Sequence, residues 1–307
     1  MKVEFDLMTG SSTWTNAGEL ARTVEDQGFS GMLYTETGQV PWMQIAAAAM
    51  AAPSLTFTTG IAVAFPRSPM VSAQVAWELA GETKGKFRLG LGSQVKGHVV
   101  RRYSSDFDRP ARRLLDYVRA VKACFKAFRG EERLNHEGDF YNLSLLPDAW
   151  KPRSHDFGEI KVDISSVGPL MNSVAGQIAD GVHVHPMHSM HYIENRLLPE
   201  IEQGAQLAGR ESSDVDLIVP VFAVAGDTAE ERAPWVHRAK TQIAFYGTTP
   251  NYSFQFEDLG FEGVTTALRD KMGAGDLQGM ADTISDDMLD HFALVSTWNE
   301  MADRLKD

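Results

Sequence analysis

The chain has 307 residues, room for one large α/β domain or two modest ones. Acidic residues outnumber basic ones, 41 to 29, and the net charge of −12 argues against nonspecific nucleic-acid binding, while a single cysteine, Cys124, excludes an intrachain disulfide. No apolar run reaches the roughly 18–20 residues of a membrane helix, and Met1 leads into a strand-like segment with no signal pattern, so a cytoplasmic protein without membrane contact is expected.

In chain order, residues 3–7 alternate apolar and polar side chains, the period of a half-buried strand. Asn16 with Glu19 predicts a capping box ahead of a helix striped by Ala17, Leu20, Ala21 and Val24, which Gly28 closes. Residues 31–35 read as strand two, 42–52 as an alanine-rich helix stopped by Pro53, and 55–63 as a buried third strand. A helix over 71–83 and strand four at 87–91 follow. Leu114, Val118, Val121, Phe125 and Phe128 fall at spacings of four and three, one face of a long helix that also assigns Cys124 to packing. Residues 130–158 carry Gly130, Gly138, Pro147, Pro152 and Gly158, and predict an irregular insertion with a short hairpin around Asp139, Phe140 and Tyr141.

The rhythm then resumes. Strand five is expected at 160–166, with a helix opening at Pro169, a favoured first helical residue. Strand six spans 182–185, a helix 191–207, and strand seven 217–225, with a cap at Asp227 and Glu230. A second irregular insertion over 228–287, a long segment of helix and loop, precedes strand eight near 292–295 and a last helix capped by Thr297 with Glu300. Eight strand-then-helix units predict an α/β fold, a (β/α)8 TIM barrel, as one domain over residues 1–307. An open doubly wound sheet is the alternative, and no strand-flanked G-x-G-x-x-G loop favours it.

In such barrels the chemistry sits at the carboxyl ends of the strands. That rule singles out Glu36, Thr37 and Gln39 after strand two, and Arg67 after strand three. Ser93, Gln94, Lys96, His98, Arg101 and Arg102 follow strand four. Val167 and Gly168 follow strand five, and His185 and His188 follow strand six. Residues 96–113 hold six Lys or Arg against two Asp, a basic island on an acidic chain, which suggests an anionic small ligand. Gly168 lets a ligand approach the backbone, and a helix opening at Pro169 turns its N–H groups outward, as a phosphate cradle requires. His183, His185, His188 and His191 cluster, but no H-E-x-x-H or cysteine pairing accompanies them, and no metal site is expected. His185 reads instead as a hydrogen-bond donor or proton relay. No G-x-S-x-G elbow is present.

Several stretches carry a resemblance that spacing alone does not supply. They are Phe65-Pro-Arg-Ser-Pro-Met-Val71, Leu89-Gly-Leu-Gly-Ser-Gln-Val-Lys-Gly-His98 with Arg101-Arg102, Gly138-Asp-Phe-Tyr141, and Gln242-Ile-Ala-Phe-Tyr-Gly247 with Thr249, Pro250 and Tyr252. Collinear over nearly the whole chain, they resemble the luciferase-like monooxygenase family, in the subgroup described as oxidoreductases of the deazaflavin coenzyme F-420. The resemblance implies an enzyme that moves a hydride between F-420 and a small organic substrate, with the protein supplying orientation and electrostatics. It implies Glu36, His98 and His185 as catalytic candidates. It implies Ala62, Val63, Ser93, Gln94, Arg101, Arg102, Val167 and Gly168 around the cofactor, and Trp42 and Tyr246 at the substrate. Relatives carry a non-proline cis peptide at the end of strand three, which here is expected at Ala62–Val63. A homodimer through helices two and three, including residues 45–52, is also implied.

The chain departs from the family in places. Glu36-Thr37-Gly38 stands where deazaflavin sugar-phosphate dehydrogenases carry a catalytic histidine, and Ser93-Gln94 replaces a glutamate after strand four. Sugar-phosphate oxidation is therefore not expected. An FMN-dependent two-component monooxygenase is the alternative, and a barrel that binds a ligand without turnover, which these departures keep open, the second alternative. For Glu36, acid–base work competes with a structural ion pair at a strand end.

Overall fold

The structure, a computed structural model, describes residues 3–306. In chain order its elements begin with β1 (Asp6–Thr9), α1 (Trp14–Asp26), β2 (Gly31–Tyr34), α2 (Pro41–Ala51), β3 (Thr56–Thr59) and β4 (Ala62–Val63). Next come α3 (Pro69–Glu82), β5 (Phe87–Gly92), α4 (Lys96–Arg101), α5 (Pro110–Arg129), β6 (His136–Glu137) and β7 (Asn142–Leu143). These are followed by β8 (Val162–Ser166), α6 (Pro169–Ile178), β9 (Gly181–Val184), α7 (Met190–Tyr192), a π-helical turn (Ile193–Leu197) and α8 (Leu198–Leu207). The chain continues through β10 (Asp216–Ile218), β11 (Phe222–Ala225), α9 (Ala229–Gly247), α10 (Phe254–Glu257), α11 (Val264–Ala274), α12 (Leu277–Thr283) and α13 (Asp286–Phe292). It closes with β12 (Ala293–Ser296) and α14 (Trp298–Arg304).

Contacts group these elements into two compact units. The first runs to Ser166 and takes in Leu170–His183 and Ile201–Ile218; the second holds Val167–Pro169, Val184–Glu200 and the chain from Val219 onward. In the first, strands pair in the order β1-β2-β3-β5-β8-β9-β10, with β4 also on β5, and every printed register in this ladder is parallel. In the second, β11 pairs with β12, also in parallel.

Each expected strand is found, but two of them are broken. The third divides into β3 and β4 around a cis peptide at Gly60–Ile61, not at the expected Ala62–Val63. Ala62 and Val63 are extended and paired with Leu91 and Gly92 of β5, so their peptide belongs to a regular ladder. Gly60 fits where a larger residue would not, because a Cβ there would lie 1.9 Å from Leu33 Cδ2. The seventh strand divides at Val219–Val221. Pro220 has no N–H to donate, and the two halves pair differently, β10 with β9 and β11 with β12.

Helix ends shift for local reasons. Thr13, not Asn16, caps α1, its hydroxyl accepting the Asn16 N–H at 3.2 Å. Thr228 caps α9 by accepting from Glu231, so the expected Asp227 cap lies one residue too early. The insertion over 228–287, expected to combine helix and loop, carries the helices α9 to α13. The hairpin of the first insertion is real: β6 and β7 are antiparallel. Buried Asp116 of α5 holds it, accepting from the Phe140 and Tyr141 N–H groups at 2.7 and 3.0 Å and contacting His136 Nε2 at 2.8 Å. A Cβ on Gly138 would collide with that carboxylate. The Gly138-Asp-Phe-Tyr141 motif therefore folds the insertion onto α5. Burial pushes the Cys124 thiol up to about 12, so it is packing and no nucleophile.

The interior of the first unit contains a polar set among its strands. Arg88 donates to both oxygens of fully buried Asp163 at 2.8 and 2.7 Å and to Asp216 at 2.9 Å. His183 lies 3.8 Å from Asp163, and burial lowers its pKa to about 4 against the pull of that carboxylate. Gly90 gives these groups room: a Cβ there would meet the Thr59 carbonyl at 1.9 Å and His183 Nε2 at 2.5 Å. Gly90→Ala is expected to lower the unfolding free energy in urea by roughly 1–3 kcal/mol or more. Gly97→Ala, on a helix with nothing within 4 Å of its Cβ, is expected to be neutral or slightly stabilising. Equal effects at the two sites would contradict this account.

Candidate active site

In the first unit, the ends of β2 and β4 meet at an ion pair. Glu36 follows β2 and is 8% exposed. Arg67, on the turn after β4, donates to Glu36 Oε1 at 2.6 Å and to Oε2 at 2.8 Å. The Val63 N–H donates to the same Oε2 at 2.8 Å, and Arg67 Nη1 also donates to the Val63 carbonyl at 2.7 Å. Burial works against the Arg67 charge, but the hydrogen bond and charge of Glu36 outweigh it and raise its pKa. Both Glu36 oxygens are thus occupied. Of the two roles left open for this residue, the geometry displays the ion pair. Trp42 on α2 lies against the same guanidinium, 5.7 Å from its ring centre.

After β5 the chain turns sharply. Gln94 has a left-handed φ of 57°, and its side-chain oxygen accepts the Val95 N–H at 2.9 Å. Ser93 donates to the Gln94 carbonyl at 3.3 Å. Helix α4 then presents Lys96, His98 and Arg101 as exposed side chains with no ion pair or side-chain hydrogen bond to another described residue. Arg102 differs: it donates to the Thr37 carbonyl at 2.5 Å and stacks on Tyr103 at 4.9 Å. Neither arginine pairs with Asp106 or Asp108. Asp108 is taken by Arg109, and the Asp106 carbonyl by Arg113. The unpartnered cations of this island are therefore Lys96 and Arg101.

In the second unit, the Val167 carbonyl accepts from the Tyr192 hydroxyl at 2.7 Å, and a Cβ on Gly168 would meet nothing within 4 Å. His185 sits in an aromatic cluster, its ring 4.7 Å from that of Tyr246 and 4.6 Å from that of Tyr252. The Met187 N–H donates to His185 Nδ1 at 3.1 Å, so the neutral ring carries its proton on Nε2. Burial lowers the His185 pKa to about 4, and the neighbouring His188 adds to the shift. A neutral donor is present at any pH above that value. Burial likewise raises both tyrosine pKa values.

Tyr252 emerges as a residue that reasoning from sequence had not placed in a site, and Arg67, singled out by its position after strand three, gains a partner in Glu36. Tyr252 stood only inside a quoted motif, and the fold alone shows which imidazole it faces and which carboxylate Arg67 faces. Among the described residues, no three His, Cys, Asp or Glu side chains gather as a metal site would require, and no helix is long and apolar enough to cross a membrane.

The ion pair generates a direct test. Glu36→Ala leaves Arg67 uncompensated, and is expected to lower the unfolding free energy by roughly 3–5 kcal/mol. Adding Arg67→Met should recover part of that loss in a double-mutant cycle followed by urea denaturation. Strictly additive losses would show that the two charges are not coupled.

The model of the luciferase-like monooxygenase family matches residues 2–307. An uncharacterised protein of Mycobacterium tuberculosis is 32% identical over 291 residues, 95% of this chain and 86% of that protein. Among solved structures, the coenzyme F420-dependent tetrahydromethanopterin reductase of Methanopyrus kandleri superposes with a TM-score of 0.80 at 19% identity, over 100% of this chain and 90% of the reductase. An F420-dependent secondary alcohol dehydrogenase, in complex with an F420–acetone adduct, gives 0.75 at 17% identity, over 100% of this chain and 89% of the dehydrogenase. The fold is accordingly the α/β, TIM-barrel-like fold of those enzymes, and the chain belongs to the luciferase-like monooxygenase family.

Proposed function

We propose that this chain is a cytoplasmic oxidoreductase that moves a hydride between F-420 and a small organic substrate. The observation that carries the reading is the unpartnered basic face of α4, on a chain of net charge −12. Cations without protein partners, on a short helix just after a strand end, suit an anionic group delivered from outside. The phospholactyl-glutamate tail of F-420 is such a group, and both solved relatives described above are named as F420-dependent.

F-420, when bound, supplies a hydride at C5. The chain's own residues do the rest. Arg101 and Lys96 would hold tail charges, while Arg102, anchored to Thr37, would fix the path of the loop. The Glu36–Arg67 pair keeps Val63 and its strand in place, each charge compensating the other. His98, exposed beside Arg101, offers an additional donor. An FMN-dependent monooxygenase is the second reading, favoured by the monooxygenases that give the family its name.

Equilibrium binding of F-420 and FMN, compared by quenching of tryptophan fluorescence, separates the two. F-420 is expected to bind more tightly, and Arg101→Ala to weaken it roughly 10- to 100-fold, the share of a hydrogen bond between charged groups. Tighter FMN binding would transfer the assignment to the monooxygenase; binding of neither would favour a ligand-binding barrel without turnover.

We also propose a homodimer. Ile45 and Ala48 of α2 face the core, whereas Trp14, Val40, Met43 and Met50 form an exposed apolar face on α1 and α2, with Met50 89% exposed. Sedimentation velocity at micromolar concentration is expected to show a dimer that Met43→Glu dissociates. A wild-type monomer would refute it.

A further inference from the structure

The aromatic cluster of the second unit has hydrogen-bonding capacity that no described residue uses. His185 accepts at Nδ1 from Met187, which leaves an N–H at Nε2. That N–H donates to no described residue, and neither do the hydroxyls of Tyr246 and Tyr252. Buried tyrosines ordinarily have a partner for the hydroxyl. Here two half-buried phenols and one imidazole share the same deficit, within one set of ring contacts. None of the three polar atoms is among those sealed from solvent.

The backbone around this cluster is held firmly. His188 Nδ1 donates to the His185 carbonyl at 2.8 Å, closing the turn after β9. Tyr252 sits on the turn that follows α9, where its N–H donates to the Thr249 carbonyl at 2.9 Å. Tyr246 lies on α9 itself, its neighbour Phe245 5.7 Å away ring to ring. The charge environment is equally telling. The groups acting on His185 and on Tyr252 are one neutral histidine and one neutral tyrosine, and no carboxylate, lysine or arginine is among them. A cationic or strongly anionic ligand would find no counter-charge here.

We infer that His185, Tyr246 and Tyr252 form the subsite that receives the carbonyl oxygen of an uncharged, planar, conjugated substrate. This inference rests on the oxidoreductase reading above and names its substrate class. Neutral N–H and O–H donors suit a carbonyl oxygen, which accepts through two lone pairs, and the aromatic side chains around them suit a planar apolar partner. When hydride from the reduced deazaflavin adds to the carbonyl carbon, the C=O π pair moves onto the oxygen, which then takes one proton from solvent, and donors fixed beforehand stabilise that oxyanion more than the starting ketone. The two tyrosines are specificity-determining residues on this account, and His185 is the donor between them.

The test uses the protein without cofactor and an uncharged probe, para-dimethylaminobenzylideneacetone. The visible band of this ketone moves to the red when its oxygen accepts hydrogen bonds. Saturable binding with a red shift is expected for the wild type. Tyr246→Phe and Tyr252→Phe keep the rings and remove only the hydroxyls. Each is expected to weaken binding roughly two- to tenfold, the share of one hydrogen bond, and to reduce the red shift. His185→Gln should do the same. Unchanged shift and affinity in all three variants would overturn the subsite, as would absence of binding to a wild type that is folded by circular dichroism. F-420 binding, measured on the same preparations, separates the two proposals. A red-shifted probe on a protein that does not bind F-420 would leave the subsite standing and remove the deazaflavin reading.

Discussion

Arg67 reaches back from the turn after β4 to grip both oxygens of Glu36, and with the same nitrogen it takes the Val63 carbonyl. The Val63 N–H completes the arrangement by donating to Glu36. One peptide strand end is therefore satisfied on both sides by a charge pair rather than by a neighbouring strand. A carboxylate this buried is costly to desolvate, and only a bidentate partner with an additional N–H donor offsets that cost. Without the pair, a buried N–H and a buried carbonyl would both lose a partner. The position of the loop entering α3, and of Trp42 against the guanidinium, follows from this constraint.

Close backbone approach is the second condition on the first unit. Gly60 and Gly90 sit where a Cβ would overlap Leu33 or the Thr59 carbonyl. Through Gly90 the Thr59 hydroxyl spans to β5, accepting the Gly90 N–H and donating to the Gly90 carbonyl. The polar groups of this unit consequently fall into two kinds. Arg88, Asp163, Glu36 and Arg67 have their charges matched within the protein, and their work is architectural. Lys96, His98 and Arg101 are unmatched, and it is the unmatched groups that a ligand can use without first breaking something.

Much of this was legible from residue order. Alternation at residues 3–7, short apolar runs at the other strands and the 3.6-residue period of α5 located all eight strands and that helix, because each signal is local. The misplaced features depend on information that is not local. Residues 217–225 read as one strand because every residue but Pro220 suits a strand; that its halves pair with β9 and β12 is decided by partners far along the chain. Residues 55–63 read as one strand for the same reason, and the close approach of Leu33 to Gly60 joins positions 27 residues apart. Candidate site residues were found by their position after strands. Their roles were harder, since Glu36 as a base and Glu36 as half of an ion pair look alike until Arg67 is seen to face it. Tyr252 was visible only as part of a motif, because its meeting with His185 joins positions 67 residues apart.

The two sets of unmatched groups differ in kind, and the difference carries chemical meaning. On α4 they are cations, exposed to water, where a charge costs little to maintain and acts over about one Debye length of roughly 8–10 Å. Around His185 they are neutral donors in a mostly buried aromatic setting, where a cation would be expensive. Burial keeps the imidazole uncharged, and the Met187 N–H decides which nitrogen holds the proton. A neutral donor in a low-dielectric setting binds a developing negative charge strongly, yet does not demand a counter-ion when that charge is absent. The charged set is suited to retaining a permanently anionic group, and the neutral set to an oxygen whose charge changes during reaction.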